Sequence, residues 1–468
     1  MVLGGAMYRK CLEKLIEWAE RDSRGVMVLR GARQVGKTTL IRKLAEKLEL
    51  HLIEINMEES QSFTHMLEHK EKAKEILEHI MLEQGVNVDP KNVVFFFDEI
   101  QELPNLYSYL RYFKEKAPDF KVISAGSLLE FEINNKNRQQ GPTGRIEYSY
   151  LNPMTFEEYL LAANKLAYDK LKELSPTKPV SEGLHTILSN IFKEYLVCGG
   201  MPAAVQASIN KEGPLRLDAI KNDIITGYIE DLPKYSSLSD TKYDTELLER
   251  ILTVVMSNPS KGLQYSKIAP GYKIEKVKKH IDILVSAKVI RRSIHTSENK
   301  TPLLNGVNPK NYKLFGLDLG LCYSFMGVSP MSIYSNIDIN DMANGTIAEQ
   351  YVAQTLTSIP PFYKTKAIYH WERQKKGSTA EVDFITEVGS EIYPIECKSG
   401  KSNKLKSLKL LLEEKVFKTS LRCYSGNTEK ETWSITKNND EEYQATVMSI
   451  PLYMLEHFIE IKSIEKQS

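Results

Sequence analysis

Gly31-Ala32-Arg33-Gln34-Val35-Gly36-Lys37-Thr38 fits the pattern GxxxxGK[ST] at every specified position. Its flanks decide the fold. Gly25-Val-Met-Val-Leu-Arg30 reads as a short buried strand, and the residues from Thr38 to Leu48 read as an amphipathic helix. Strand, glycine loop and helix start form an anion site, because unpaired backbone N–H groups and the helix dipole converge there. Gly31 and Gly36 permit close backbone approach, Lys37 reaches the outer phosphates, and the Thr38 hydroxyl suits magnesium. The cradle runs through Ala32, Arg33, Gln34 and Val35 and on to Thr39.

Phe95-Phe96-Phe97-Asp98-Glu99 is the second informative stretch, an apolar strand running into acid. Asp98 fits the magnesium shell, and Glu99 is the carboxylate expected to polarise an attacking water. Hydrolysis also calls for a polar side chain that senses the γ-phosphate. Ser127 is the first candidate, after Ala125-Gly126, and Ser124 the second. Arg145 follows the loop Gln139-Gln-Gly-Pro-Thr-Gly144 and is the candidate finger toward a neighbouring protomer, which implies a homo-oligomer; Arg33 is a weaker one. These residues imply a site for a nucleoside triphosphate and Mg2+.

A chain of 468 residues exceeds one ordinary core. Its 42% apolar and 26% charged content are those of a soluble globular protein. A net charge of +1 supplies no global field for nucleic acid, so any such binding rests on local patches. Cys11, Cys198, Cys322, Cys397 and Cys423 lack CxxC spacing, which suits reduced thiols and a cytoplasmic location. No apolar stretch approaches membrane-spanning length, so no membrane partner is expected. Met1-Val-Leu-Gly-Gly-Ala-Met7 carries no evident chemistry.

Alternating strands and helices through residue 165 predict a parallel α/β sheet. Residues 155–235 read as mainly helical. From 245 to 325 the pattern suggests a winged helix: Leu247–Ser257, Tyr265–Ala269, Ile274–Ala287, then a wing strand from Lys288. Lys273, Lys276, Lys278, Lys279, Arg291 and Arg292 are its candidate groove contacts, or simply a solvated face. After a helix around Thr346–Val352, a hairpin is expected from Ala380–Thr386 and Ile392–Lys398.

The segments Gly-Ala-Arg-Gln-Val-Gly-Lys-Thr-Thr, Phe-Phe-Asp-Glu-Ile-Gln, Ser-Ala-Gly-Ser and Leu-Asn-Pro-Met-Thr-Phe-Glu-Glu-Tyr resemble those of prokaryotic AAA+ ATP-binding proteins with an uncharacterised C-terminal domain. Gly199-Gly200-Met201-Pro202 and Glu381-Val-Asp-Phe with Ile-Glu-Cys-Lys-Ser-Gly extend the resemblance over nearly the whole chain. It implies an AAA+ core over 1–165, a helical lid over 166–240, a winged-helix region over 241–330, and a restriction-endonuclease-like α/β domain over 331–468. It also implies ATP rather than GTP.

Asp383 with Glu396-Cys397-Lys398 matches the D…(D/E)xK pattern of that nuclease-like fold. Two carboxylates on adjacent strands hold a divalent metal, a second Mg2+ or Mn2+, and a lysine two residues on activates water. Period two puts Glu396 and Lys398 on one face and Ile395 and Cys397 in the core. Glu349, on the preceding helix, resembles an additional acid, and Gln374 is a further candidate. Lys401, Lys404, Lys406 and Lys409 could track a phosphate backbone. Three functions are open at this stage: an ATP-driven switch or motor whose C-terminal domain handles nucleic acid, a regulatory ATPase whose silent C-terminal domain binds a protein, and an ATP-gated nuclease.

Overall fold

Five parallel strands form the first sheet: β1 (Val26–Arg30), β2 (His51–Asn56), β3 (Val93–Asp98), β4 (Lys121–Gly126) and β5 (Ile146–Tyr150), in the order β2-β3-β4-β1-β5. Helices cover both faces, so the inner strands β1 and β3 read as nearly unbroken apolar runs rather than alternations. Phe95 and Phe97 pack with Val28 toward α3 (Ala73–Glu83) and α4 (Pro104–Lys116). Val94 and Phe96 pack with Leu29 toward α1 (Cys11–Glu20) and α2 (Lys37–Lys47). The computed structural model describes residues 7–59, 66, 72–126, 144–237, 243–262, 264–328, 345–398, 405–438 and 440–465.

Five helices follow: α5 (Phe156–Ala163), α6 (Lys165–Glu173), α7 (Glu182–Cys198), α8 (Pro202–Ile209) and α9 (Pro214–Ser237). Local chemistry sets where they begin. Thr155 and Glu158 make a reciprocal capping box that starts α5. Between α7 and α8 the chain passes so close to its neighbours that a Cβ on Gly200 would fall 2.1 Å from Met154 O. A Cβ on Gly199 would likewise fall 2.2 Å from Asp318 Oδ1, which explains the glycine pair before Pro202, and the Gly200 N–H donates to Asp318 Oδ2 at 2.7 Å.

Helices α10 (Thr245–Ser257), α11 (Tyr265–Ile268) and α12 (Ile274–Ser286) precede the hairpin β6 (Ile290–Thr296) and β7 (Val307–Gly316). This hairpin does not stand alone. β6 pairs in parallel with β8 (Ile368–Glu372), joining β9 (Glu381–Val388), β10 (Glu391–Cys397), β11 (Thr419–Tyr424), β12 (Glu429–Thr436) and β13 (Glu442–Pro451). The result is one eight-stranded sheet, ordered β12-β13-β11-β10-β9-β8-β6-β7, so strands on both sides of residue 330 share a sheet. Helices α13 (Leu319–Phe325), α14 (Gly345–Ser358), α15 (Lys406–Glu414) and α16 (Leu455–Ile464) complete the described chain. A continuous apolar core links Leu40 and Phe96 to Tyr195, Phe315, Phe384 and Phe458.

Candidate functional site

The phosphate loop lies at the carboxyl end of β1, with α2 starting at its far side. Gly36 caps α2 at φ +93°, a backbone conformation suited to glycine. At Gly31 a Cβ would meet Leu151 O at 2.2 Å, so only glycine fits. Lys37 is buried and folded back, donating to Gly31 O at 3.1 Å and Ala32 O at 2.9 Å. Burial lowers its pKa, against the pull of Glu99 and Asp98.

Asp98 stands at the end of β3, and β4 separates it from β1. The Thr38 Oγ1 donates to Asp98 Oδ2 at 2.8 Å, while Asp98 Oδ1 accepts from the Glu99 N–H at 3.0 Å. Thr38 and Asp98 thus bond each other across the cradle. Burial raises the Asp98 pKa, with Thr38 opposing. Glu99 holds a left-handed backbone, φ +50°, and its carboxylate accepts from Gln101 Nε2 at 2.7 Å. A strained residue beside a ligand pocket is a common mark of function. The pocket is about 430 Å3, and Met7, Pro202, Ala203 and Gln206 close it opposite Arg33–Thr39 and Asp98–Glu99. The glycine cradle, the lysine and the Thr38–Asp98 pair fit a magnesium nucleotide.

Other nominated residues lie elsewhere. Ser127 falls outside the described residues. Ser124 is fully buried in β4. Arg145 precedes β5 at the end of the sheet away from the phosphate loop, and pairs with Glu115 at 3.0 Å. It therefore does not reach this chain's own pocket. Arg33, at the pocket wall, pairs with Asp231 of α9, and Tyr228 O–H donates to its carbonyl at 2.6 Å. Gln34 and Val35 shape the loop, Gln34 in a left-handed conformation and Val35 buried.

Two contributors had no sequence signal. Met7, in the stretch expected to carry no chemistry, lines the pocket. Arg9 is buried and donates to Val35 O at 2.8 Å, Asn152 O at 2.5 Å and Glu158 Oε2 at 3.1 Å, holding the loop from behind. A single arginine before an amphipathic helix looks like surface in sequence.

In the second sheet, β9, β10 and α14 bring Glu349, Asp383, Glu396 and Lys398 together. Asp383 Oδ2 accepts from the Cys397 N–H at 2.7 Å, and Lys398 pairs with Glu396 at 2.6 Å. Glu381, two residues before Asp383 on the same strand face, joins them: oxygens of Glu349, Glu381 and Asp383 lie within 4.8 Å of one another. Burial pushes the Glu349 carboxyl up to about 7 and Glu396 to about 8, each reinforced by Asp383. Lys313 enters from β7, donating to Glu349 at 3.2 Å and pairing with Glu381. An ammonium therefore sits among carboxylates that could hold a metal. Gln374 is exposed and donates to Glu372 O at 3.5 Å.

The basic residues proposed for a DNA groove divide. Arg291 is held inward, donating to Gly316 O at 2.9 Å. Arg292 pairs with Asp282 at 2.6 Å and Lys276 with Asp244 at 2.8 Å. Lys273, Lys278 and Lys279 remain exposed, as do Lys406 and Lys409, while Lys401 and Lys404 fall outside the described residues.

A glycine cradle on an all-parallel sheet, with Asp98 beyond an intervening strand, is the arrangement of a phosphate-loop nucleotide-binding domain. Residues 23–160 match the AAA domain family. Residues 189–332 and 344–453 match two domains of unknown function, DUF8612 and DUF4143. Uncharacterized protein MJ1637 of Methanocaldococcus jannaschii is 26% identical over 265 residues, covering 54% of this chain and 52% of its own length. The chain thus spans about half the length of that curated relative. Among solved structures, the Thermotoga maritima RuvB Holliday junction branch migration motor aligns at 16% identity and TM-score 0.29, over 65% of this chain and 93% of that one. No helix among the described residues is long and apolar enough to cross a membrane.

Proposed function

We propose that this chain binds ATP with magnesium in the pocket above α2, hydrolyses it, and uses the cycle to drive a C-terminal domain that handles nucleic acid. The observation behind the ATPase reading is the 2.8 Å bond between Thr38 and Asp98, with Glu99 beside it at the mouth of the glycine cradle. Magnesium ATP, when bound, supplies the phosphoryl group that passes to water. Lys37 leaves the loop carbonyls to neutralise the outer phosphates, Thr38 and Asp98 hold the cation, and Glu99 orients the water. Arg145 of a neighbouring protomer and Ser127 are the remaining candidates for offsetting and sensing charge. ATP is preferred over GTP on the AAA match.

The Arg33–Asp231 pair supports coupling, since it ties the phosphate loop to α9 and so to the helices beyond. A metal-dependent nuclease is the second reading, favoured by the convergence of Glu349, Glu381 and Asp383 near Lys398. Lys313 amid those acids favours instead a silent domain that binds a protein.

Glu99→Gln should retain Mg-ATP while turnover falls by roughly 10²–10⁴-fold, the range for losing a positioned base. DNA should raise wild-type turnover. Unchanged hydrolysis in the variant removes Glu99 from this role. Indifference to DNA removes nucleic acid and leaves the protein-partner reading.

A further inference from the structure

The last helix returns to the ATPase domain and meets it through buried charge. Lys10 Nζ donates to Glu157 Oε2 at 2.7 Å and Glu456 Oε1 at 2.9 Å, and pairs with Glu460. Lys172 Nζ donates to Glu157 Oε2 at 2.9 Å and also pairs with Glu460. When all are ionised, three carboxylates against two ammonium groups leave one negative charge in excess. Two acceptors are also left over. Glu157 Oε1 and His457 Nδ1 are both buried and have no hydrogen-bond partner among the described residues. Glu157 is 0% and His457 3% exposed, so water does not readily supply the missing partners.

The histidine is already oriented as a ligand. Its Nε2 lies 2.9 Å from Leu174 O, so the ring hydrogen belongs there and Nδ1 keeps its lone pair. A metal-binding imidazole is commonly fixed by such a bond from its other nitrogen to a carbonyl. One ligand atom each from Glu157, His457 and Glu460 lies within 4.8 Å of the others. Zinc bonds of about 2.0–2.2 Å to nitrogen and oxygen would draw these three atoms inward around the ion.

We propose that Glu157, His457 and Glu460 bind a divalent transition-metal ion of the zinc type, stapling α16 to α5. A neutral imidazole with two carboxylates favours zinc over magnesium, which prefers oxygen alone. Lys172 is the cation able to give way, its side chain being 29% exposed against 13% for Lys10. Occupancy would also bear on the nucleotide site. Glu158, next to Glu157, holds Arg9, and Arg9 holds the Val35 carbonyl of the phosphate loop. The metal would thus stiffen the seat of that loop without touching nucleotide, and it stands apart from the acids around Asp383.

The test uses the full chain, stripped with chelator, carrying Asp98→Ala and Asp383→Ala to silence the other candidate metal positions. Calorimetry with Zn2+ should find one ion per chain, with affinity lowered about tenfold or more by His457→Gln or by Glu460→Gln. Co2+ should give a visible ligand-field band that disappears in His457→Gln, and Zn2+ should raise the thermal midpoint of the parent alone. Circular dichroism establishes which variants fold; should His457→Gln not fold, Glu460→Gln decides. Absence of zinc binding by the folded parent overturns the proposal, as does unchanged affinity in a folded variant.

Discussion

Lys37 carries its charge in a nearly closed setting, where loop carbonyls and the nearby acids stabilise it. Those carbonyls are weak substitutes for a phosphate. Exchanging them for charged oxygens gains charge-assisted bonds of about 1.5–3 kcal/mol each. Lys37→Ala should therefore weaken Mg-ATP binding by roughly tenfold to a hundredfold. Calorimetry reads this directly, and wild-type affinity in the variant refutes the role. This lysine was legible in sequence because its motif is local: eight consecutive residues, one strand before and one helix after. Asp98 and Glu99 were legible for the same reason, an apolar run stopping at acid. Arg9, Glu381 and Lys313 were not, since each has partners far away in the chain and nothing local distinguishes it from a surface charge. Arg291 misled in the opposite direction: it looked like a wing contact and is turned inward onto Gly316 O.

At the scale of the element, β8 shows how burial creates pH sensitivity. Its His370 is 1% exposed, with Ser293 Oγ at 3.3 Å from Nδ1, and burial together with Lys313 and His295 pushes its pKa down to about 3. In the unfolded chain the ring titrates near its ordinary 6.5. Between these values the unfolded state takes up a proton that the folded state refuses. The neutral ring's contribution is thus intact above pH 6.5 and is lost as pH falls toward 3, at about 1.4 kcal/mol per pH unit. Denaturant melts at pH 7.5 and 5.5 should show wild type losing more stability than His370→Asn, which is uncharged throughout. Equal losses would mean that the ring protonates in the folded sheet. The strands β8 and β11 had no marked alternation in sequence, because a strand covered on both faces loses its period-two pattern. The β9–β10 hairpin kept its turn at Gly389 and was visible.

Across the whole molecule, the joining of β6–β7 to the C-terminal strands matters most, because it brings Lys313 into the acid cluster. The sequence pattern suggested a winged helix, and the family resemblance implied a separate nuclease-like unit after it; no short-range pattern reports that β6 will pair with β8. The cluster has Glu349, Glu381, Asp383 and Glu396 against Lys313 and Lys398, four negative groups and two positive, when all are ionised. Lys313 lies where a divalent ion would draw the same oxygens, so metal and ammonium compete. Lys313→Met should leave buried carboxylates unpaired and cost about 3–5 kcal/mol in metal-free buffer, the usual penalty for removing one partner of a buried pair. Manganese should then bind the variant more tightly than wild type and restore its thermal midpoint, because a ligand that binds only the folded state stabilises it in proportion to its affinity. Adding Asp383→Ala should abolish that recovery. Free Mn2+ followed by electron paramagnetic resonance, in an Asp98→Ala background, measures the affinity without the nucleotide site. Weaker manganese binding in Lys313→Met would mean that the lysine organises the acids rather than occupying the cation's place, and would favour the reading in which this domain binds a protein and no metal.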